Sequence, residues 1–185
     1  MRKLQYNAPV ILTFAILSAT ALFLDTLTGG ITTQKLFSVY RSSPLDPLSY
    51  VRLFLHVLGH ANFSHYAGNM LMILILGPMV EERYGSANML FLIAVTAATT
   101  GILHCVLSSD AALLGASGIV FMLIFLASLA GMQKNRIPLT LVLVAAIYFG
   151  QEIYNGLFSA DDISQLTHIV GGCCGVILGI LLRRK

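Results

Sequence analysis

The sequence predicts an all-α protein that crosses a membrane several times. Of its 185 residues, 57% are hydrophobic and only 10% are charged, and the mean hydropathy is +0.83. A soluble domain carries roughly 25% charged residues, so the composition excludes an ordinary soluble enzyme. Six apolar stretches approach the length of about 20 residues that a membrane-spanning helix needs. We therefore predict a bundle of six transmembrane helices that forms one domain over residues 1–185.

The predicted spans follow one another with short connections after the first. The first apolar run is too long for a cleavable signal, and no small-residue cleavage site follows it. No internal repeat is evident, which disfavours a transporter. The three cysteines lie in apolar runs and are predicted to be small core residues. The spans are 8–27, 63–80, 87–107, 115–132, 137–157 and 165–182.

Charge places both termini on the cytoplasmic side. Eleven Lys and Arg against eight Asp and Glu form no basic patch, so no nucleic-acid partner is expected. With a cytoplasmic amino terminus, the positive residues collect on the inner side, as the positive-inside rule requires. The inner segments then hold Arg2, Lys3, Arg83, Lys134, Arg136, Arg183, Arg184 and Lys185, and the outer segments hold Lys35, Arg41 and Arg52.

The first outer loop, residues 28–62, is long but not polar. Leucine, phenylalanine and tyrosine recur through it and are interrupted by Pro44 and Pro47. A solvated linker would not have this composition. Short amphipathic segments that lie in the membrane interface would, so we predict a membrane-associated loop.

Four polar residues inside the spans are predicted to share one depth. Counted from the charged residue at the inner end of each helix, Ser117 lies about 25 Å, His168 about 23 Å and His65 about 24 Å away. Asn69 lies about one turn deeper. In a hydrocarbon core about 30 Å thick, these groups sit just below the outer face. Polar groups at such positions are costly, so each is treated as a candidate functional residue.

The chemistry of these residues is complementary. A serine hydroxyl becomes nucleophilic when a base removes its proton, and a neutral imidazole is the usual base near pH 7. Ser117 opens its helix within Gly115-Ala116-Ser117-Gly118, where unpaired N–H groups and the helix dipole favour an oxyanion. His65 and Asn69 are one turn apart and can donate toward the same point. The residues predict a Ser–His dyad rather than a triad.

Other interpretations of each signal stay open. The G-x-S-G match also fits a site of close helix packing, and a lone intramembrane histidine can be structural. His56 and His60 are spaced as metal ligands can be, in a small transporter or metal-binding membrane protein. However, no Asp, Glu or Cys completes a metal site and H-E-x-x-H is absent. We expect no metal and no cofactor.

Four ordered motifs resemble those of the rhomboid intramembrane serine proteases, of the compact six-span bacterial type. The resemblance covers about two-thirds of the chain. The motifs are His56, His60, His65 and Asn69 in R-L-F-L-H-V-L-G-H-A-N-F-S-H-Y-A-G-N; Glu82-Arg83-Tyr84-Gly85-Ser86; Gly115-Ala116-Ser117-Gly118; and His168, Gly171 and Gly175 as H-x2-G-x3-G.

The resemblance implies a role for each matched residue. Ser117 would be the nucleophile and His168 the general base, while His65, Asn69 and the Ser117 N–H would form the oxyanion hole. The structural residues near the site would be His56, His60, Gly115, Gly118, Phe121, Gly171 and Gly175.

The resemblance also implies a substrate class and a location. The fifth span and residues 160–164 would form the gate and cap for substrates, which would be single-span proteins in a bacterial plasma membrane. The alternative is a catalytically inactive relative that binds membrane helices.

Two positions depart from the family pattern. Val51-Arg52 stands where the family often has Trp-Arg, and the chain has no tryptophan, so we expect Tyr50 to help anchor the first loop. Phe121 stands where the family often has tyrosine one turn after the serine. Its ring can still stack on the histidine, although the hydroxyl is lost.

Overall fold

The computed structural model describes residues 4–107, 111–129, 136–158 and 162–182, with side-chain surroundings for these except 149 and 151–164. Eight α-helices follow one another in this part of the chain. A 3₁₀ turn, His56–Leu58, follows the third of them. The helices are α1 (Pro9–Thr28), α2 (Ile31–Leu36), α3 (Pro47–Leu55), α4 (Phe63–Tyr84), α5 (Ser86–Leu107), α6 (Ser117–Ser128), α7 (Leu139–Phe158) and α8 (Asp162–Leu181).

The predicted all-α class is confirmed. In the four described ranges, the strand-like pairing is a single bridge between Val39 and Leu113. Among the described helices, α1, α4 and α5 are each long and apolar enough to span a membrane, and α6, α7 and α8 contribute shorter apolar segments. Helices α2 and α3 lie within residues 28–62, which the sequence predicted to hold short amphipathic segments.

Helix α6 lies in the middle of the bundle. It packs against α4, α5, α7 and α8. Its side chains are apolar all round and buried from Ile119 to Leu126. A helix that is hydrophobic on every face is suited to such a central position. Ser117, its first residue, therefore lies centrally at one end of the bundle.

Glycines on α8 let its backbone approach α6 closely. A Cβ atom at Gly171 would meet the carbonyl oxygen of Gly118 and lie 2.9 Å from its Cα. A Cβ atom at Gly175 would lie 2.5 Å from the carbonyl oxygen of Met122. Small residues at such a crossing allow tight packing without a gap. The two helices run in the same direction, so His168 lies level with the start of α6.

At the other end of the bundle, a buried carboxylate joins the end of α4 to the start of α1. Glu81, near the end of α4, accepts hydrogen bonds from the backbone N–H groups of Val10 and Ile11, each at 3.0 Å. It also accepts one from the Ser86 hydroxyl at 2.7 Å. The first N–H groups of α1 have no partner within their own helix, so Glu81 caps α1 from another part of the chain.

Arg52 holds the first loop together. Its Nε donates to the carbonyl of Lys35 at 2.8 Å, and its guanidinium pairs with Asp46 at 3.1 Å. The aromatic ring against it belongs to Tyr40, 4.7 Å away. Tyr50 is exposed, and its hydroxyl donates to the carbonyl of Pro44. Within the first loop, Tyr50 thus contributes a hydrogen bond, and Tyr40 supplies the ring that packs on Arg52.

Candidate active site

The segment before Ser117 is fixed to the first loop by backbone hydrogen bonds. Val39 and Leu113 exchange two of them, at 2.9 and 2.8 Å. The N–H of Gly115 donates to the carbonyl of His56 at 3.0 Å. Gly115 has φ +121°, which L side chains rarely adopt. These bonds set the path by which the chain enters α6.

Gly115 also makes room for two side chains of α4. A Cβ atom there would lie 2.8 Å from Cε1 and 2.9 Å from Nε2 of His65, and 3.9 Å from Nδ2 of Asn69. His65 is held at the start of α4, where the Asn62 side chain accepts the His65 N–H at 2.9 Å. The imidazole and the amide thus face the segment that leads into Ser117.

Within the described part of the chain, the Asn69 amide is a donor without an acceptor. Its Nδ2 is buried and finds no hydrogen-bond partner among the residues that the structure describes. A buried N–H group that stays unpaired costs about 1–3 kcal/mol. Such a donor is ready to bind an oxygen that enters the site, as an oxyanion hole requires.

Phe121 positions the His168 imidazole. The two rings stack with centroids 4.6 Å apart and planes 5° from parallel. The ring of Tyr148, on α7, meets the Phe121 ring edge-on at 5.4 Å. Phe121 is one turn after Ser117, so both side chains lie on the same face of α6. The stack therefore directs the imidazole toward the helix face that carries the serine.

His56 and His60 lie just outside the spans. His56 Nδ1 lies 3.2 Å from the carbonyl of Arg52, and its Nε2 lies 3.4 Å from the hydroxyl of Thr100 on α5. His60 Nδ1 lies 3.1 Å from the carbonyl of Leu58, and its ring meets that of His65 edge-on at 5.1 Å. His56 links the first loop to α5, and His60 packs behind His65.

Acidification should destabilise the fold through these two histidines. Burial lowers the pKa of His56 and that of His60 from 6.5 to about 4, with repulsion from His65 contributing for His60. An unfolded chain takes up these protons near pH 6.5, whereas the folded chain resists until about pH 4. The free energy of unfolding should therefore fall from pH 6.5 to pH 4, by about 1.4 kcal/mol per pH unit for each histidine.

Thermal unfolding of the purified protein in a neutral detergent measures this dependence. The Tm should be level above pH 6.5 and should fall steadily below it. His60→Gln should make the Tm fall less steeply with decreasing pH, without changing the pH at which the fall begins. A Tm that stays constant down to pH 4 would contradict the neutral, buried state of both rings.

A comparison with known families identifies the chain. The family model described as "Rhomboid domain" matches residues 47–185, three-quarters of the sequence, and includes every motif residue discussed above. The chain belongs to the rhomboid family. It is accordingly a multi-pass membrane protein, and the predicted family is confirmed.

Individual relatives of this rhomboid are distant. The protein named "Putative rhomboid protease YdcA" of Bacillus subtilis (strain 168) is 26% identical over 143 residues, 72% of this chain and 68% of that protein. "Rhomboid-related protein 1" of Caenorhabditis elegans is 28% identical over 135 residues, 66% of this chain and 37% of that protein. "Rhomboid-like protein 11, chloroplastic" of Arabidopsis thaliana is 27% identical over 140 residues, 68% of this chain and 50% of that protein. The chain thus matches half or less of the last two proteins.

The structure adds residues to the site that sequence reasoning missed. Thr96, Thr100 and His104 are buried at intervals of four along α5, and Thr100 contacts His56. That spacing was a readable signal of a polar stripe inside the bundle. No sequence signal pointed to Tyr148 behind the Phe121 ring.

Two sets of predictions fall partly outside the described residues. Residues 160 and 161 of the predicted cap lie outside the described ranges, and the side chains of 162–164 are likewise undescribed. The same holds for most of the inner positive residues used to orient the chain. Among the described residues, no group of three or more His, Cys, Asp or Glu could hold a metal ion.

Proposed function

We propose that this rhomboid is an intramembrane serine endopeptidase that uses Ser117 as nucleophile and His168 as general base. The observation that carries the proposal is the stack of His168 on Phe121, one helical turn from a serine at the start of the central helix. A hydroxyl beside an imidazole is the minimum for nucleophilic acyl transfer.

In the proposed reaction, His168 removes the hydroxyl proton of Ser117, and the oxygen attacks the scissile carbonyl carbon. The carbonyl π electrons move to the oxygen, which becomes the oxyanion of the tetrahedral intermediate. The imidazolium then gives its proton to the leaving amine as the peptide bond breaks. Water repeats the sequence on the acyl-enzyme, and His168 returns the proton to Ser117.

The oxyanion would be bound by donors from two helices. The Asn69 amide and the His65 imidazole approach from α4. The backbone N–H of Ser117 is in the first turn of α6, where N–H groups have no partner within the helix. In this proposal the three donors are in place before the substrate binds, so they need no rearrangement when negative charge develops on the oxygen.

The substrates in this proposal are single-span membrane proteins cut near the outer end of their helix. Helix α7 and residues 160–164 would form the lateral gate and cap, and both termini would face the cytoplasm of a bacterial plasma membrane. The position of Ser117 at the end of a buried helix supports cleavage just inside the bilayer. Besides these substrates, the lipid bilayer is the other partner in this proposal.

A fluorophosphonate probe tests the proposal directly. Such a probe phosphonylates activated serines, so the purified full-length protein should acquire one adduct, and peptide mass spectrometry should assign it to Ser117. Absence of an adduct on protein that unfolds cooperatively would favour the alternative, an inactive rhomboid that only binds membrane helices. An adduct on another serine would contradict the assignment of the nucleophile.

Asn69→Ala should leave a weakly active enzyme. Loss of one oxyanion donor typically lowers kcat by about 10²–10³-fold because transition-state stabilisation is lost. Cleavage of a single-span reporter in proteoliposomes measures the change. Asn88→Ala is the matched control, since that amide donates to the carbonyl of Tyr84 at 2.8 Å, at the other end of α4 from Asn69. Activity equal to that of the wild type in Asn69→Ala would exclude Asn69 from the oxyanion hole.

A further inference from the structure

A pocket opens between the first loop and the final turns of α5, at the end of the bundle that carries Ser117. Its volume is about 360 Å³, within the range of about 300–1,000 Å³ typical of small-molecule sites. None of the catalytic candidates lines it. Its walls are formed by Tyr40, Arg41, Ser42, Pro44, Ser49, Tyr50, Leu53, Ile102, Cys105 and Val106.

One wall of the pocket is continuous with the apolar outer surface of the bundle. Ile102 and Val106 line the pocket and are nevertheless 51% and 63% exposed. In a helix that spans a membrane, exposed side chains of this kind face lipid. A chain of methylene groups can therefore enter the pocket from the bilayer without crossing water.

The opposite wall carries a positive charge. Arg41 is exposed, and within the described ranges it has no carboxylate at ion-pair distance. Arg41 and Cys105 both line the pocket, so the positive charge lies at the pocket wall. Beside it, the hydroxyls of Ser42 and Ser49 lie 2.7 Å apart and offer further donors.

We propose that this pocket binds an anionic phospholipid from the leaflet at this end of the bundle. The phosphate would pair with Arg41, a guanidinium being the side chain best suited to bind phosphate through two hydrogen bonds. The acyl chain would follow Ile102 and Val106 into the bilayer. Zwitterionic lipids fit less well, because their own cation would lie beside Arg41.

The bound lipid would act on the segment that leads to the nucleophile. Arg41 is two residues after Val39, which is hydrogen-bonded to Leu113 in both directions. Leu113 is in turn two residues before Gly115. A headgroup that restrains the loop at Arg41 therefore restrains the entry to α6. The pocket's loop wall, from Tyr40 to Pro44, precedes the residues matched by the family model.

The absence of tryptophan from the chain makes the site directly observable. Tyr50→Trp places a single tryptophan in the pocket wall, which can be excited apart from the tyrosines. In phosphatidylcholine vesicles, a minor fraction of phosphatidylglycerol with brominated acyl chains quenches that fluorophore only where the lipid is in contact. The same fraction of brominated phosphatidylcholine gives the reference. Ile102→Trp repeats the measurement from α5 should Tyr50→Trp disturb the loop.

Quenching should show about fivefold local enrichment of phosphatidylglycerol, the ratio expected for about 1 kcal/mol between one arginine and an anionic headgroup. Arg41→Gln should abolish the enrichment. Lys35→Gln should leave it intact, since Lys35 is a neighbouring loop cation that does not line the pocket. Phe23→Trp should show none, because it reports on a second cavity lined by Asp25 and by no lysine or arginine.

Two results would overturn the proposal. One is equal quenching by the two lipids, and the other is enrichment that survives in Arg41→Gln. Added inorganic phosphate distinguishes a lipid from a soluble ligand. It should not displace the lipid, and displacement would show that the pocket takes free phosphate instead.

Discussion

Replacing Ser117 by alanine is expected to abolish cleavage of a single-span reporter in proteoliposomes. The serine oxygen is the only protein atom in the proposed mechanism that forms a bond to the scissile carbonyl carbon, and alanine has no equivalent. In serine proteases the remaining groups retain only about 10³–10⁴-fold acceleration over water, which is far below detection for a peptide bond. The folded structure should be kept, because Ser117 is half-buried and only one oxygen is removed.

Ser128→Ala is the matched control for this prediction. Ser128 is the last residue of the same helix, and its hydroxyl donates to the carbonyl of Ile124 at 2.8 Å. This variant should cleave the reporter at the rate of the wild type. If Ser117→Ala membranes cleave the reporter as fast as wild-type membranes, Ser117 is not the nucleophile and the mechanism fails with it.

Gly171→Ala is expected to have the second-largest effect. The new methyl group would overlap the backbone of Gly118, which cannot move aside as a flexible side chain could. Helix α8 must therefore shift away from α6, and His168 shifts with it because it lies one turn away on the same helix. A displacement of about 1 Å in a catalytic group costs about 10²-fold in rate. The rate of reporter cleavage and the Tm together measure the outcome.

Gly68→Ala controls for the cost of the substitution itself. Gly68 lies in α4, and a Cβ atom there meets nothing within 4 Å. It should leave activity and Tm nearly unchanged. Fluorophosphonate labelling separates misplacement from unfolding, since folded Gly171→Ala should label slowly at Ser117. Wild-type cleavage by Gly171→Ala would show that the close approach of α8 to α6 does not position His168.

The fold class could be predicted from the sequence because the bilayer reduces the choices. Backbone groups in hydrocarbon must bond within their own segment, so six apolar stretches predict helices. The family could be predicted because its motifs combine rare intramembrane polar residues, such as His168, with glycines at fixed intervals. Both predictions depend on local pattern, and local pattern is what one sequence contains.

The arrangement within the site could be predicted only in part. Helix arithmetic placed Ser117, His168 and His65 at one depth, but depth does not specify how each helix is rotated about its axis. The stack on Phe121 and the contact of His65 with Gly115 depend on that rotation. The packing of Tyr40 on Arg52 has a similar origin, because the loop's turns decide which ring meets the guanidinium, and those turns depend on contacts distant in sequence.

The carboxylate of Glu81 has a consequence for biosynthesis. Its bonds to Val10 and Ile11 join positions about seventy residues apart. A nascent chain that inserts helix by helix therefore exposes the amino-terminal end of α1 without its cap until α4 has emerged from the ribosome. The first helix consequently reaches its final state late, and a truncation between the two helices should leave it a substrate for quality-control proteases.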